Sequence, residues 1–451
     1  MKWKRDYVND KKVGCGKHPA FFKHDADKKT LAKNNDIPYY LALQFLINIY
    51  INSFREVTMS VATYIAEAMT RSSWIRKMFE EGARLKAQYG EDNVYDFSLG
   101  NPDVTPPQSF FSTLQSLASQ PDPKAHGYMP NAGFMSARTI IAKKVAKDHS
   151  IDISGDYVIL TCGAAGGLNV ALKTILNPGE EVIVPKPYFV EYGFYIANHN
   201  GSINLVPSKS DFALNIDAIE KAINEKTRAV LINSPNNPTG VIYSHEDITR
   251  LAALLQRYSE KFGKPIYLLS DEPYRELVYD NSTVPSILSH YTHSMVVSSF
   301  SKTLSLPGER IGYIAINPSM PEADIVMAGL ILCNRILGFV NAPALMQRVI
   351  EKIAFDTVDV KAYATRRDMI CEGLQKAGYS FVKPEGAFYV FCKSPLEDDV
   401  VFVKHLLNFN ILAVPGVGFG GPGYFRLAFC VPEKVIEKSM PQFKKALESL
   451  S

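Results

Sequence analysis

The sequence lacks an excess of charge of either sign, and it lacks closely spaced cysteines. It contains 49 Lys and Arg residues against 46 Asp and Glu residues, a formal charge of +3 over 451 residues. A surface that binds a polyanion needs a clear cationic excess, so this balance argues against a nucleic-acid partner. The six cysteines are scattered among apolar segments without a C-x-x-C pair, which argues against a disulfide framework and against a metal site. We therefore expect a cytoplasmic protein that holds no metal.

A convincing membrane anchor or signal peptide is also missing. Residues 37–54 (IPYYLALQFLINIYINSF) run for 18 residues without a charge, which just reaches the length of a transmembrane helix. Pro38, Gln44 and Asn48 weaken that interpretation, and no small-residue cleavage site follows. Met59 opens a plausible natural start, so we predict that residues 1–58 are an extension outside the folded protein. A weak membrane contact through 37–54 stays open as the alternative.

Apolar segments of strand length alternate with helical segments in the middle of the chain. The segments DYVILT, EEVIVP, RAVLINSP, PIYLLSDE and SMVVSSF are each followed by a turn or a helical pattern. This alternation is typical of an α/β fold whose parallel sheet is covered by helices on both faces. We predict an N-terminal arm with part of a small domain over 59–108, a large domain over 109–344, and a C-terminal small α/β domain over 345–451.

Two of the predicted strands end in segments suited to bind a ligand. The segment TCGAAGGLNVAL (161–172) joins a strand to a helix through small residues, and the amides of a helix N-terminus bind phosphate well. For this segment taken alone, glycines that allow close packing of strand and helix are the favoured explanation. The segment NSPNNPTG (233–240) contains more turn-forming residues than a turn requires, and its Asn side chains follow a strand, where ligands bind in α/β sheets.

Charged residues follow the next two strands. Asp271 comes directly after PIYLLS, where its carboxylate reaches the cleft at the end of the sheet or caps a helix. Lys302 follows the strand SMVVSSF and is surrounded by hydroxyl residues, with Arg310 eight positions later. An amine surrounded by hydroxyl groups and near an arginine is typical of a buried, reactive lysine beside an anion site.

These motifs occur together in an order that resembles the class I/II aminotransferases, which are fold-type-I pyridoxal-phosphate (PLP) enzymes. The resemblance covers about residues 70–445 and depends on S-x-S-K…G-x-R-x-G-Y, NPTG and D-x-x-Y. It implies a large, PLP-binding domain with a mostly parallel seven-stranded sheet between helices, and a smaller α/β domain.

The resemblance also implies a role for individual residues. Lys302 would hold the cofactor aldehyde as a Schiff base and move the proton, and Asp271 would stabilise the protonated ring nitrogen. Asn237 and Tyr274 would bind the phenolate oxygen of the cofactor. The remaining cofactor-binding residues would be Gly163, Ala164, Ala165, Phe189 (with Tyr188 as the near alternative), Ser299, Ser301, Arg310 and Tyr128.

Three further implications concern the substrate and the assembly. Arg426 would bind the substrate α-carboxylate, assisted by Asn237 and by the backbone at Gly100. Tyr128 would reach the phosphate of a neighbouring subunit's cofactor, which implies a homodimer with shared active sites. Arg335 is a candidate for binding a second substrate carboxylate, although an ordinary solvated or ion-paired arginine is the favoured interpretation.

The sequence therefore predicts a PLP-dependent aminotransferase that moves an amino group between an L-amino acid and a 2-oxo acid by a ping-pong mechanism. Two alternatives stay open. A carbon–sulfur lyase or a decarboxylase on the same fold would use the same motifs, because the cofactor breaks the bond and the protein selects which one. A ligand sensor fused to a DNA-binding module would need two amphipathic helices upstream, which residues 1–58 do not show.

Overall fold

A computed structural model describes residues 60–71, 74–119, 122 and 124–450. The predicted extension 1–58, with its charge-free segment 37–54, lies outside these residues, as does Met59. The strands are, in chain order, β1 (Tyr95–Asp96), β2 (Val158–Thr161), β3 (Glu181–Lys186), β4 (Ser202–Pro207), β5 (Thr227–Asn233), β6 (Tyr267–Asp271), β7 (Ser294–Ser299), β8 (Gly312–Ile316), β9 (Tyr389–Lys393), β10 (Ile411–Leu412), β11 (Val414–Pro415) and β12 (Tyr424–Ala428).

The chain divides into two compact units after residue 72. Helix α1 (Thr63–Arg71) lies in the first unit and all other elements lie in the second. The helices of the second unit are α2 (Trp74–Tyr89), α3 (Gln108–Ala118), α4 (Met135–His149), α5 (Gly163–Ile175), α6 (Glu191–Ala197), α7 (Ile216–Ala222), α8 (His245–Phe262), α9 (Phe300–Thr303), α10 (Ala323–Ile336), α11 (Ala344–Ile353), α12 (Val360–Ala377), α13 (Asp399–Leu407) and α14 (Glu433–Glu448).

The predicted mostly parallel sheet is confirmed. It has seven strands in the order β2-β8-β7-β6-β5-β3-β4, and β8 alone runs antiparallel to its neighbours. Parallel strands that are covered on both faces are apolar along their whole length, which explains why β2, β6 and β7 are buried at every position. The carboxyl ends of β5, β6 and β7 consequently lie side by side at one edge of the sheet.

Two clusters of apolar side chains cover the two faces of this sheet. Because successive residues of a strand point to opposite faces, Val230 of β5 packs in one cluster and Leu231 packs in the other. Helices α4, α8 and α11 contribute to the first cluster, and α5 and α10 contribute to the second. The sheet is therefore held from both sides, and its edge is a rigid base for the side chains that follow the strands.

The C-terminal part of the chain forms a separate core around a three-stranded antiparallel sheet of the order β11-β12-β9. Helices α12, α13 and α14 pack on it through buried aromatic residues such as Phe402 and Phe443. Strand β1 pairs in parallel with β10, which brings the segment before residue 100 into this part of the molecule. The division of the chain at residues 58, 108 and 344 stays a prediction.

Three observations concern features that the sequence argued against. Among the helices that the structure describes, none combines the length and the apolarity needed to cross a membrane. Cys162, Cys333, Cys371, Cys392 and Cys430 are free thiols. Within the described ranges, no three His, Cys, Asp or Glu side chains come together as metal ligands.

Candidate active site

A cleft of about 330 Å³ opens at the carboxyl edge of β5, β6 and β7, between the large sheet and the small three-stranded sheet. The structure brings most of the predicted site residues together in this cleft. Those that line it are Gly100, Ala164, Ala165, Phe189, Asn237, Asp271, Tyr274, Ser299, Ser301, Lys302, Arg310 and Arg426.

Lys302 lies in the short helix α9, directly after β7, so its amine enters the cleft from the end of the strand. The Nζ atom donates a hydrogen bond to the carbonyl oxygen of Gly100 at 2.7 Å and lies 5.3 Å from the ring centre of Phe388. Burial lowers the pKa of the amine from 10.5 to about 8, and the positive charge of Arg426 adds to this effect. The neutral, nucleophilic fraction of this amine near neutral pH is therefore much larger than that of an exposed lysine.

Asp271 is the last residue of β6, and its side chain is buried at the floor of the cleft. Tyr192 donates a hydrogen bond to Oδ2 of Asp271 at 2.6 Å, whereas Oδ1 has no hydrogen-bond partner in the described part of the chain. Burial raises the pKa of this carboxyl group from 3.8 to about 7. A buried, half-satisfied carboxylate of this kind is suited to a ligand that brings a positively charged N–H group.

The N-terminus of α5 forms the other end of the cleft, together with hydroxyl groups and a guanidinium group. Ser299 and Ser301 share a hydrogen bond of 3.1 Å between their hydroxyls, and Arg310 is exposed and donates to the carbonyl oxygen of Pro307 at 2.8 Å. Gly163 has φ of +71°, and a Cβ atom there would lie 2.8 Å from Nη2 of Arg310. Free amides, hydroxyls and a guanidinium group at one point are suited to bind a phosphate.

Arg426 enters the cleft from β12 of the small sheet and is 2% exposed. Its Nη1 donates to Oδ1 of Asn237 at 3.1 Å and its Nη2 donates to the carbonyl oxygen of Ser98 at 2.7 Å. The guanidinium carbon lies 4.6 Å from the ring centres of Tyr389 and Phe419. Because its Nε has no partner among the described residues, this arginine still has capacity to bind an anion such as a carboxylate.

Several residues of the cleft were missed by the sequence reasoning. Tyr192 and Tyr195 lie three positions apart in α6, shortly after Phe189, and this helical spacing is the signal that could have pointed to them. Asn233 ends β5 within the NSPNNPTG segment, and its Nδ2 donates to the carbonyl oxygen of Asp271 at 2.8 Å. Tyr389 carries no such signal, because it lies in an apolar strand far from the motifs.

Three predicted residues do not line the cleft. Gly163 lies at the start of α5 behind Ala164 and contributes only backbone beside Arg310. Tyr128 is 96% exposed and lines a different cavity with Phe339 and Val340. Arg335 is exposed on α10, outside the lining of the cleft.

Between the two aromatic candidates for stacking, Phe189 lines the cleft and Tyr188 does not. The geometry therefore favours Phe189 for this position.

Comparison with known proteins agrees with this geometry. The family model described as aminotransferase class I and II matches residues 92–440. A probable aspartate aminotransferase of Methanocaldococcus jannaschii is 30% identical over 363 residues, which cover 78% of this chain and 93% of the relative.

Solved structures match along a similar length. A crystal structure of an aminotransferase from Eubacterium rectale superposes with a TM-score of 0.84 at 38% identity, covering 86% of this chain and 98% of the other. An aspartate aminotransferase from Thermotoga maritima superposes with a TM-score of 0.76 at 30% identity, covering 86% of this chain and 100% of the other. The chain therefore belongs to the class I and II aminotransferase family, whose members are PLP-dependent enzymes of fold type I, and it is an aminotransferase.

Proposed function

We propose that this aminotransferase binds PLP in the cleft through Lys302 and transfers the amino group of L-aspartate to a 2-oxo acid. The observation that supports the cofactor most directly is the pairing of two groups in one cleft. A lysine with a pKa of about 8 shares it with a buried carboxylate whose Oδ1 has no hydrogen-bond partner in the described chain. This pairing fits an aldehyde that carries a protonated ring nitrogen.

The other residues of the cleft fit the remaining parts of the cofactor. Ser299, Ser301 and Arg310, with the amides at the start of α5, would hold the phosphate. Tyr274 would donate to the phenolate oxygen of the ring. Phe189 would pack against the ring face. Because Ala164 and Ala165 lack hydroxyl groups, the phosphate would depend on backbone amides, on the two serines and on Arg310.

When bound, PLP supplies an aldehyde that accepts the amino group and a ring that withdraws electrons from the substrate α-carbon. Lys302 Nζ would accept the proton from the substrate α-carbon and donate it to the former aldehyde carbon of the cofactor. The carbonyl oxygen of Gly100 accepts a hydrogen bond from this amine and keeps it directed into the cleft. Asp271, ionised beside the ring nitrogen, would favour the protonated form of that nitrogen.

Arg426 would bind the substrate α-carboxylate and so fix the α-carbon beside Lys302. Its guanidinium carbon lies 4.6 Å from the centres of two aromatic rings, and the group is already oriented by Asn237 and by the Ser98 carbonyl group. An arginine with this little freedom binds a carboxylate without a large loss of entropy. The 2-oxo acid that follows in the ping-pong cycle carries the same carboxylate and would bind in the same way.

The proposal of L-aspartate as the amino donor is supported by the relatives, several of which are aspartate aminotransferases. A screen of single amino acids in the absence of an acceptor tests it, read as loss of the visible absorbance of the bound cofactor. L-Aspartate should remove this band completely, and 2-oxoglutarate should restore a chromophore in the second half of the cycle. If L-phenylalanine removed the band and L-aspartate did not, the choice of donor would be wrong.

The same samples separate transamination from a lyase reaction. An aminotransferase releases a 2-oxo acid in proportion to the cofactor and then stops until an acceptor is added. Continuous production of ammonia and pyruvate without an acceptor would instead indicate the lyase. The family and the relatives favour the aminotransferase, and they likewise offer no support for a DNA-binding sensor.

The Lys302→Ala variant tests the covalent role of this lysine. We expect transamination to fall by more than about 10³-fold, because both the covalent link and the proton transfer are lost. Borohydride reduction of the loaded wild-type protein, followed by peptide mapping, should place the cofactor on Lys302 and on no other lysine. A labelled peptide elsewhere, or full activity of the variant at an unchanged thermal midpoint, would refute the proposed site.

A further inference from the structure

Tyr389 has no role in the function proposed above, although it lines the cleft. It is the first residue of β9 and pairs with Ala428 of β12, while Arg426 pairs with Phe391. Tyr389 and Arg426 are therefore diagonal neighbours on the same face of an antiparallel pair, which is close enough for long side chains to touch. The tyrosine side chain is 2% exposed.

Three groups of the cleft touch this one side chain. Its hydroxyl lies 2.9 Å from the hydroxyl of Tyr274, and its ring centre lies 4.6 Å from the guanidinium carbon of Arg426. Its hydroxyl also packs against Gly100, where a Cβ atom would overlap it. Gly100 is in turn the residue whose carbonyl oxygen accepts the hydrogen bond from Lys302.

The proposed role of Tyr274 determines the direction of donation between the two hydroxyls. Each hydroxyl carries one proton, so only one of the two can donate to the other. The phenolate oxygen of the cofactor can only accept, so Tyr274 can donate to it only when Tyr389 donates its own proton to Tyr274. The proton of Tyr274 is then free to point into the cleft.

We infer that Tyr389 is a positioning residue that orients Tyr274 through its hydroxyl group and orients Arg426 through its ring. The hydroxyl gives Tyr274 a defined acceptor role and so directs the Tyr274 proton to the cofactor. The ring of Tyr389 packs against the flat guanidinium group of Arg426, and the hydroxyl of Tyr389 packs against the backbone of Gly100. Tyr389, a residue of the small sheet, thus links Arg426, which would bind the substrate carboxylate, to Tyr274, which would contact the cofactor ring.

This inference rests on the proposed cofactor site. Two variants test its parts separately: one tests the role of the hydroxyl towards Tyr274, and the other tests the role of the ring towards Arg426. Tyr389→Phe keeps the ring and removes the hydroxyl. The expected result is a higher pH midpoint for the visible band of the bound cofactor, by about 0.5 pH unit. The reason is that a hydrogen bond to the phenolate oxygen stabilises the deprotonated chromophore, and Tyr274 would now donate it less well.

The direction of this shift decides between two arrangements. If Tyr274 instead donated to Tyr389, removing the hydroxyl would free Tyr274 to bind the cofactor more strongly, and the midpoint would fall. Tyr274→Phe gives the reference, since it removes the hydrogen bond from Tyr274 to the phenolate oxygen altogether. It should raise the pH midpoint of the visible band further than Tyr389→Phe does. A lowered or unchanged midpoint in Tyr389→Phe would overturn the inference.

A matched control separates positioning from stability. Tyr379 belongs to the same core as Tyr389, and its hydroxyl donates to the carbonyl oxygen of Phe443 at 2.9 Å, away from the cleft. Tyr379→Phe removes the same atom and one buried hydrogen bond. It should lower the thermal midpoint about as much as Tyr389→Phe while leaving the spectroscopic midpoint unchanged. An equal spectroscopic shift in this control would assign the effect to stability alone and refute the inference.

Tyr389→Leu removes the ring and tests the support of Arg426. In single-turnover measurements with L-aspartate or another donor that reacts, we expect the apparent dissociation constant to rise by about tenfold. The limiting rate should change less, because the proton-transfer group Lys302 is untouched. An unchanged dissociation constant would refute this half of the inference. Failure of the Lys302 labelling experiment would instead refute the proposed function, so the two failures are distinguishable.

Discussion

At the scale of single residues, the two ionisable groups central to the cleft are both shifted towards their neutral forms. Burial raises the pKa of Asp271 to about 7 and lowers that of Lys302 to about 8. For the lysine, this shift supplies a nucleophile near neutral pH. For the aspartate, the shift is unfavourable, since the proposed role needs a negative charge. A ligand that brings a positively charged N–H group would stabilise the ionised carboxylate, so binding of such a ligand should stabilise the fold.

This conflict leads to a prediction for Asp271→Asn in the cofactor-free protein. The pKa of Asp271 is higher in the folded state than the ordinary 3.8, so its ionisation destabilises the fold as pH rises from about 4 to about 7. At pH 8 the amide should raise the free energy of unfolding by about 1–2 kcal/mol, and the gain should shrink as pH is lowered towards 5. Thermal unfolding across this pH range measures the effect.

The same substitution should weaken catalysis. An amide carries no charge to hold the ring nitrogen protonated, so we expect kcat to fall by about 10²–10⁴-fold. A variant that is more stable and less active is the signature of a functional group held at a cost to the fold. An Asp271→Asn protein that is no more stable than the wild type at pH 8 would contradict the argument.

At the scale of secondary-structure elements, the cleft depends on close contact between β8 and the turn that begins α5. Gly312 is the first residue of β8. A Cβ atom there would lie 2.5 Å from the carbonyl oxygen of Ser298 and 2.8 Å from the carbonyl carbon of Gly163. Both neighbours are backbone atoms in buried elements, so they have little room to move. The absence of a side chain at this point brings the helix N-terminus to the edge of the sheet.

Gly312→Ala should therefore displace the turn at Gly163. We expect a loss of about 1–3 kcal/mol in the free energy of unfolding and weaker binding of PLP to the apo-protein. Gly308→Ala is the matched control, since it lies four residues earlier and a Cβ atom there meets nothing within 4 Å. Thermal unfolding and a spectroscopic titration with PLP measure both variants. Equal behaviour of the two would show that the contact does not position the turn.

Many of the strands, and the polar site residues that follow them, could be predicted from the sequence, because local patterns determine them. The strands β5 to β7 are continuous apolar segments, and polar groups such as Asp271 and Lys302 follow them directly along the chain. Tyr389 could not be predicted in this way, since it is brought to the cleft by the packing of the small sheet against the large one. Tyr192 is an intermediate case, because helical spacing from Phe189 places it near the site, but its hydrogen bond to Asp271 depends on the fold.

At the scale of the whole molecule, the exposure of Tyr128 is a feature that the single chain does not explain. Its side chain is 96% exposed and lies beside a cavity of about 350 Å³ that Phe339 and Val340 also line. A tyrosine so exposed adds nothing to the core of its own chain. We propose that two copies of this chain form a homodimer and that Tyr128 of one copy reaches the phosphate in the cleft of the other.

A mixture of two inactive variants tests this arrangement. Tyr128→Ala leaves Lys302 intact, and Lys302→Ala leaves Tyr128 intact. If Tyr128 acts across the interface, a mixed dimer has one complete site, and random exchange of equal amounts should restore about a quarter of the wild-type activity. If Tyr128 acted within its own chain, every site in the mixture would lack one group and no activity would return. Each variant incubated alone is the control. Exchange is verified by size-exclusion chromatography of differently tagged copies, so that a failure of restoration reflects the arrangement of the sites rather than a failure to mix.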